Sequence, residues 1–172
     1  MTDSAVAPGW GADEAVTHLY AAHYRSLVRL AALLLRDAVV AEEVVQDSFV
    51  AMHGGWRRLS DPDKALAYLR QSVVNRSRSA LRHRSVVERH PTAALPHGAS
   101  AEHGAMVAME HQEVLAALRR LPQRQREVLV LRYYADLSEA DIADALGISR
   151  GAVKSHASRG MAALRESLEA GS

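Results

Sequence analysis

Six arginines, Arg70, Arg76, Arg78, Arg82, Arg84 and Arg89, crowd residues 66–90 against one acid, Glu88. The chemistry this favours is polyanion binding, because each guanidinium that meets a phosphate releases a condensed counterion. Residues 149–165 form a second basic block, with Arg150, Lys154, Arg159 and Arg165 and no acid. Residues 37–55 are the reverse: Asp37, Glu42, Glu43 and Asp47 stand there without a Lys or Arg. The formal net charge is only +1. The separation into blocks, rather than the total, therefore points to surfaces with different partners.

Bond-making chemistry has no comparable set. The chain contains no cysteine, which excludes a disulfide scaffold, a thiolate zinc site and a thiol redox centre within it. His90, His97, His103 and His111 fall in one neighbourhood, but their spacing fits no compact metal site. No serine sits in a recognisable nucleophile turn, and no phosphate-binding glycine loop is present. The expectation is a protein with no catalytic site, no metal and no cofactor.

The basic blocks need helices to position them. In "LSEADIADALGISRGAVKSHASRG", residues 137–160, Ser138 is placed to cap a short helix, with Asp141 where a capping-box carboxylate falls. Ile142, Ala145 and Leu146 turn inward, Gly147 ends that helix, and Ser149 caps the next. On this second helix Val153, Ala157, Met161 and Leu164 share the core stripe. Gly151, Ser155 and Ser158 fall on the opposite side, flanked by Lys154 and Arg159. A small polar face between cations lets a helix enter the major groove while phosphates are held at its edges. This is the spacing of a helix-turn-helix; a helical hairpin used for protein contact is the alternative. Upstream, Leu121-Pro122 opens another helix, and Val128, Leu129, Leu131 and Tyr134 are expected to form the platform beneath the DNA-reading helix.

Apolar periodicity places helices at about 13–35, 39–56 and 63–86, with Asp61-Pro62 at the start of the third. "ERHPTAALPHGASAEHG" then breaks all periodicity and reads as a linker. Helical patterning resumes over 106–120, 123–134, 138–146 and 149–168. The fold class is all-α: two small helical domains joined by a flexible linker. The domains are placed at 12–86 and 106–169, the linker at 87–105, and a disordered tail at 1–11. No apolar run approaches membrane-spanning length, and "MTDSAVAPGWGADE" lacks the basic and apolar segments of a signal peptide. A cytoplasmic protein without a membrane partner is expected.

The run "LPQRQREVLVLRYYADLSEADIADALGISRGAVKSHASRGMAALR" resembles region 4 of the bacterial sigma-70 family, in its extracytoplasmic-function group and the sigma-E-like branch. "YAAHYRSLVRLAALLLRDAVVAEEVVQDSFVAMHGGW" resembles regions 2.1 and 2.2, and "DPDKALAYLRQSVVNRSRSALRHR" regions 2.3 and 2.4. The resemblance covers roughly residues 14–86 and 106–168, in the family's order. It implies a specificity subunit that binds core RNA polymerase, at the β′ clamp helices and the β flap, and directs it to promoter DNA. Glu42, Glu43, Gln46, Asp47 and Phe49 would meet core polymerase, the acids complementing basic clamp helices. Ser60, Asp61, Lys64, Arg70, Asn75, Arg76, Arg78, Arg82 and Arg84 would melt and read the −10 element, where an unstacked base is held in a loop pocket. Ser149, Arg150, Gly151, Lys154, Ser155, Ser158 and Arg159 would read the −35 element. Tethering makes the second contact intramolecular, so two weak readers act as one. An anti-sigma factor that hides these surfaces is also implied. Where family members often carry a bulky aromatic before the central helix, this chain has Tyr68 and the upstream Trp56, and which of them meets DNA or core is open. Two other readings stand beside this one: a stand-alone dimeric helix-turn-helix regulator, and a sigma mimic that captures an anti-sigma factor.

Overall fold

The computed structural model describes residues 6, 9–59, 61–88 and 112–171, and all regular structure among them is helical. The chain divides into two compact units, Met1–Pro96 and His97–Ser172.

The first unit is a bundle of α1 (Ala12–Leu35), α2 (Ala38–Gly54) and α3 (Ala65–Glu88), each packed on the other two. Leu19, Leu27, Leu30, Leu34, Val45, Met52, Leu69 and Val73 are fully buried between them. Burying such a side chain is worth roughly 1.5–3 kcal/mol, so this stripe of Leu and Val does the work that aromatic residues do elsewhere. The α1–α2 turn is sharp. Arg36 adopts the left-handed region at φ 64°, an uncommon conformation for a non-glycine residue, and its N–H closes α1 on Ala32 O at 3.0 Å. Asp37 Oδ1 then accepts from the N–H groups of Val39 (3.0 Å) and Val40 (3.2 Å) and caps α2. Gly54 and Gly55 end α2, and single 3₁₀ turns at Trp56–Arg58 and Pro62–Lys64 lead into α3. Asp61 starts the second of these by accepting from Asp63 N–H at 3.0 Å.

α3 runs two residues past the expected end, to Glu88. Most of the expected linker, its histidines and residues 106–111 lie outside the described residues. Of the stretch 1–11 expected as a loose tail, Val6 is buried and the Trp10 ring packs edge-on against His18, centroids 5.1 Å apart.

The second unit holds α4 (112–120), α5 (Gln123–Leu129), α6 (Glu139–Leu146) and α7 (Arg150–Ala170). Leu131, Ile142, Leu146, Val128 and Val153 fill its core. After α5 the helix widens over Val130–Tyr134, where Ala135 N–H reaches back five residues to Val130 O at 3.1 Å. This π-type turn corrects one expectation: Tyr134 is exposed rather than part of the core platform, as is Tyr133. The extra residue per turn carries both rings past the face that a regular helix would have given them.

Among the described residues of this unit two charged side chains are buried. Glu127 is buried and accepts from Gln123 Nε2 at 2.8 Å and Arg124 Nη1 at 3.0 Å; Arg126 is buried beside it. Gly160 lets α7 cross α5 closely. A methyl group at that position would lie 3.1 Å from Leu129 Cδ1 and 3.3 Å from Gln125 Cβ, inside ordinary contact distance.

Candidate nucleic-acid and partner surfaces

The helix-turn-helix forms through local hydrogen bonds that the sequence encodes. Ser138 Oγ accepts from Asp141 N–H at 3.1 Å and begins α6. Gly147 turns the chain at φ 65°, a conformation that favours glycine. Ser149 Oγ accepts from Ala152 N–H at 3.1 Å and begins α7. Val153 and Ala157 are buried, and Met161 and Leu164 are half-buried on the same stripe. Ser149, Arg150, Gly151, Lys154, Ser155, Ser158 and Arg159 are all exposed. The face from Gly151 to Ser158 is about 10 Å long at ~1.5 Å per residue, with no large side chain on it.

On α3, Asn75, Arg76 and Arg82 are exposed, and Arg70 and Arg78 are half-buried. The exposed cations are propped by their own helix. Arg76 Nε donates to Ser72 Oγ at 3.3 Å, and Arg82 Nη2 to Ser79 Oγ at 3.2 Å. Gln71 Nε2 donates to Asn75 Oδ1 at 3.5 Å. Lys64 is exposed at the start of this helix, while the Asp61 carboxylate is engaged as a cap. Ser60 and the Arg84 side chain lie outside the described residues.

Tyr68 is 41% exposed and stands between two open hollows. One, of about 410 Å³, is lined by Ala51, Met52, Gly54, Gly55, Arg58 and Leu59. The other, of about 290 Å³, is lined by Gln71, Ser72, Asn75, Arg76 and Ser79. Trp56 is half-buried, so Tyr68 is the more exposed of the two aromatics. Gln71 and Ser72 were not singled out from the sequence; their spacing from Tyr68 and Asn75 on one helical face was the available signal.

On α2 the acids lie on the outer side, and Phe49 does not. Glu43, Gln46 and Asp47 are exposed and Glu42 is half-buried. Phe49 is only 4% exposed; its ring meets Tyr20 edge-on at 5.1 Å, and Tyr20 stacks on Tyr24 at 4.4 Å. Phe49 thus supports the face from beneath, because its position falls on the core side of α2. The residue on the surface stripe is Val50, 71% exposed and spaced with Glu43, Gln46 and Asp47 along one side of the helix. Burial, the Tyr24 phenol and the Glu42 carboxylate push the Tyr20 phenol above its ordinary pKa.

Behind the α3 face lies a titratable group that the sequence pattern did not mark. His23 of α1 is 7% exposed. Its burial, then the Arg70 guanidinium and then His18, hold its pKa below the ordinary value. At the far edge of α2, His53 Nε2 meets Asp13 Oδ1 at 2.6 Å and ties α2 to the start of α1. Among the described residues no helix is long and apolar enough to cross a membrane.

Each of the two helical units exposes a cationic face. Residues 19–86 match the family model for sigma-70 region 2 and residues 111–164 that for sigma-70 region 4. The RNA polymerase sigma-E factor of Streptomyces avermitilis is 36% identical over 144 residues, covering 84% of this chain and 79% of the relative. The ECF RNA polymerase sigma factor SigM of Mycobacterium tuberculosis is 32% identical over 150 residues, covering 87% of this chain and 75% of the relative. The chain also has the fold of the Bartonella quintana sigma factor RpoE, solved in complex with the anti-sigma factor NepR. That match has a TM-score of 0.70 at 23% identity and covers 89% of this chain and 96% of that one. The chain belongs to the sigma-70 family of RNA polymerase sigma factors, in its extracytoplasmic-function group.

Proposed function

We propose that this sigma factor acts as a specificity subunit without a catalytic site of its own, and that its three surfaces divide the work. The domains are 12–86 and 106–169, joined by the linker 87–105. Glu42, Glu43, Gln46 and Asp47 meet the β′ clamp helices of core RNA polymerase, with Val50 as the apolar centre of that contact. A desolvated apolar residue within a charged patch strengthens the ion pairs around it by excluding water. The β flap is the expected contact of the second domain. Tyr68, Asn75, Arg76, Arg78 and Arg82 take the opened −10 strand, a base stacking on the tyrosine while the cations hold phosphates. Arg150, Lys154 and Arg159 hold the phosphates of the duplex −35 element, and Gly151, Ser155 and Ser158 approach its base edges. The observation that carries this reading is the presence of both cationic faces, one with an exposed aromatic and hollows and one smooth, on units matching regions 2 and 4.

An anti-sigma factor is the second expected partner. Support comes from the Bartonella relative, solved with one, and from the exposure of the surfaces it would have to cover. The protein would work in the cytoplasm, at the nucleoid when bound to polymerase. Run-off transcription with purified core enzyme and a library of genomic templates tests the reading. The expected result is promoter-dependent product only when this chain is added; core binding with no promoter-dependent product from any template would overturn it.

A further inference from the structure

Lys154 lies on the DNA-facing side of α7, and its ammonium is 3.8 Å from the carboxylate of Glu139, in the first turn of α6. The Lys154 side chain is 70% exposed and that of Glu139 only 28%. The carboxylate is therefore the better-anchored partner and the lysine the freer one. A phosphate approaching Lys154 finds this anion already beside the ammonium. It must either draw the ammonium away from Glu139 or settle beside a like charge. In both cases one cation of the −35 face is partly cancelled before DNA arrives. The cancellation acts on phosphate attraction, which is independent of sequence, and leaves base-edge contacts at Gly151, Ser155 and Ser158 untouched.

We propose that Glu139 is a specificity-determining residue that restrains the −35 helix. By holding Lys154 it lowers the affinity of the second unit for DNA of any sequence, so that base contacts and the tether to polymerase carry a larger share of promoter choice. This rests on the assignment of the α7 face to −35 DNA. Glu139 touches no base in this scheme and acts through Lys154.

The test is a double-substitution cycle in holoenzyme, using Glu139→Gln, Lys154→Gln and the pair. Binding is measured on a promoter duplex and on a duplex with a scrambled −35 element, over a range of salt concentrations. Glu139→Gln is expected to tighten binding to both by about two- to fivefold, the scale of a partly exposed ion pair. It should narrow the promoter-to-scrambled ratio and steepen the salt dependence by about one counterion. In the Lys154→Gln background the same substitution should do much less. A purely structural role at the start of α6 would lower the melting temperature without steepening the salt dependence. Two results overturn the proposal alone, provided Lys154→Gln weakens binding: a silent Glu139→Gln, or a gain of the same size with and without Lys154. If Lys154→Gln leaves binding unchanged, the assignment of the α7 face fails and the proposal fails with it.

Discussion

The two helices proposed to meet DNA, α3 and α7, are both cationic and otherwise opposite in texture. α3 is rough: Tyr68 projects between two hollows, and its arginines are braced against serines of their own helix. α7 is smooth: its outward face carries Gly151, Ser155 and Ser158, with long side chains only at the margins. A rough surface with an exposed ring suits a strand whose bases have left the stack, because a ring offers every base a partner. A smooth surface suits an intact duplex, because only a slim helix sinks far enough into the major groove to reach base edges. On the proposed assignment, one nucleic acid in two physical states accounts for two helices that share a charge and little else.

Four experiments would break or sharpen this contrast. The largest effect is expected where the two readers share an anchor. Glu43→Lys with Asp47→Lys should weaken core binding on the order of 100-fold, and −10- and −35-dependent transcription should vanish together. Survival of either would mean that one reader is self-sufficient. Next, Lys154→Glu with Arg159→Glu should reduce transcription from a duplex promoter on the order of 50-fold while leaving core binding intact. On a template already opened at −10 the loss should shrink, since the opened strand belongs to α3. Tyr68→Ala should show the opposite profile, a loss of about tenfold from the removed stacking that persists on the opened template and is largely restored by Tyr68→Phe. Equal profiles for the two helices would erase the distinction.

The smallest effect concerns stability. The pKa of His23 is held below its ordinary value of 6.5, so on acidification the unfolded chain takes up this proton before the folded one. The stabilisation is complete above that value and is lost as pH falls toward the folded pKa. Urea titrations at pH 7.5 and 5.5 should therefore show a less stable first unit at the lower pH, with His23→Gln reducing the difference. An undiminished difference would remove His23 as the source.

The helices and their ends were legible where a single residue type dictates local geometry. Asp61, Ser138, Gly147 and Ser149 lie at helix ends because capping and left-handed turns are decided within a few residues. The outward face of α7 was legible because about 100° per residue holds along an uninterrupted helix. Tyr134 was misplaced because the widened turn at Val130–Tyr134 breaks that angle, and nothing in the apolar pattern announces it. Phe49 was given to the polymerase contact by the resemblance of "AEEVVQDSF", although the helix carries it to the side facing Tyr20. Glu127, Arg126 and His23 were passed over because a reading that sorts apolar from polar assigns charged and titratable groups to the outside. Their burial rests on partners that only the folded chain brings near.

Gly160 carries a consequence for how this protein can change over generations. The close crossing with Leu129 fixes α7 in one rotational setting, from the side of the helix opposite Gly151, Ser155 and Ser158. The residues proposed to read the −35 element therefore bear little of the packing, and the residue that sets the packing lies away from them. On that assignment, mutations on the outward face would explore new target sequences at little cost in folding, while Gly160 would keep each trial in the same orientation. A gene copy with this architecture is free to acquire a different set of target genes without first passing through an unstable intermediate.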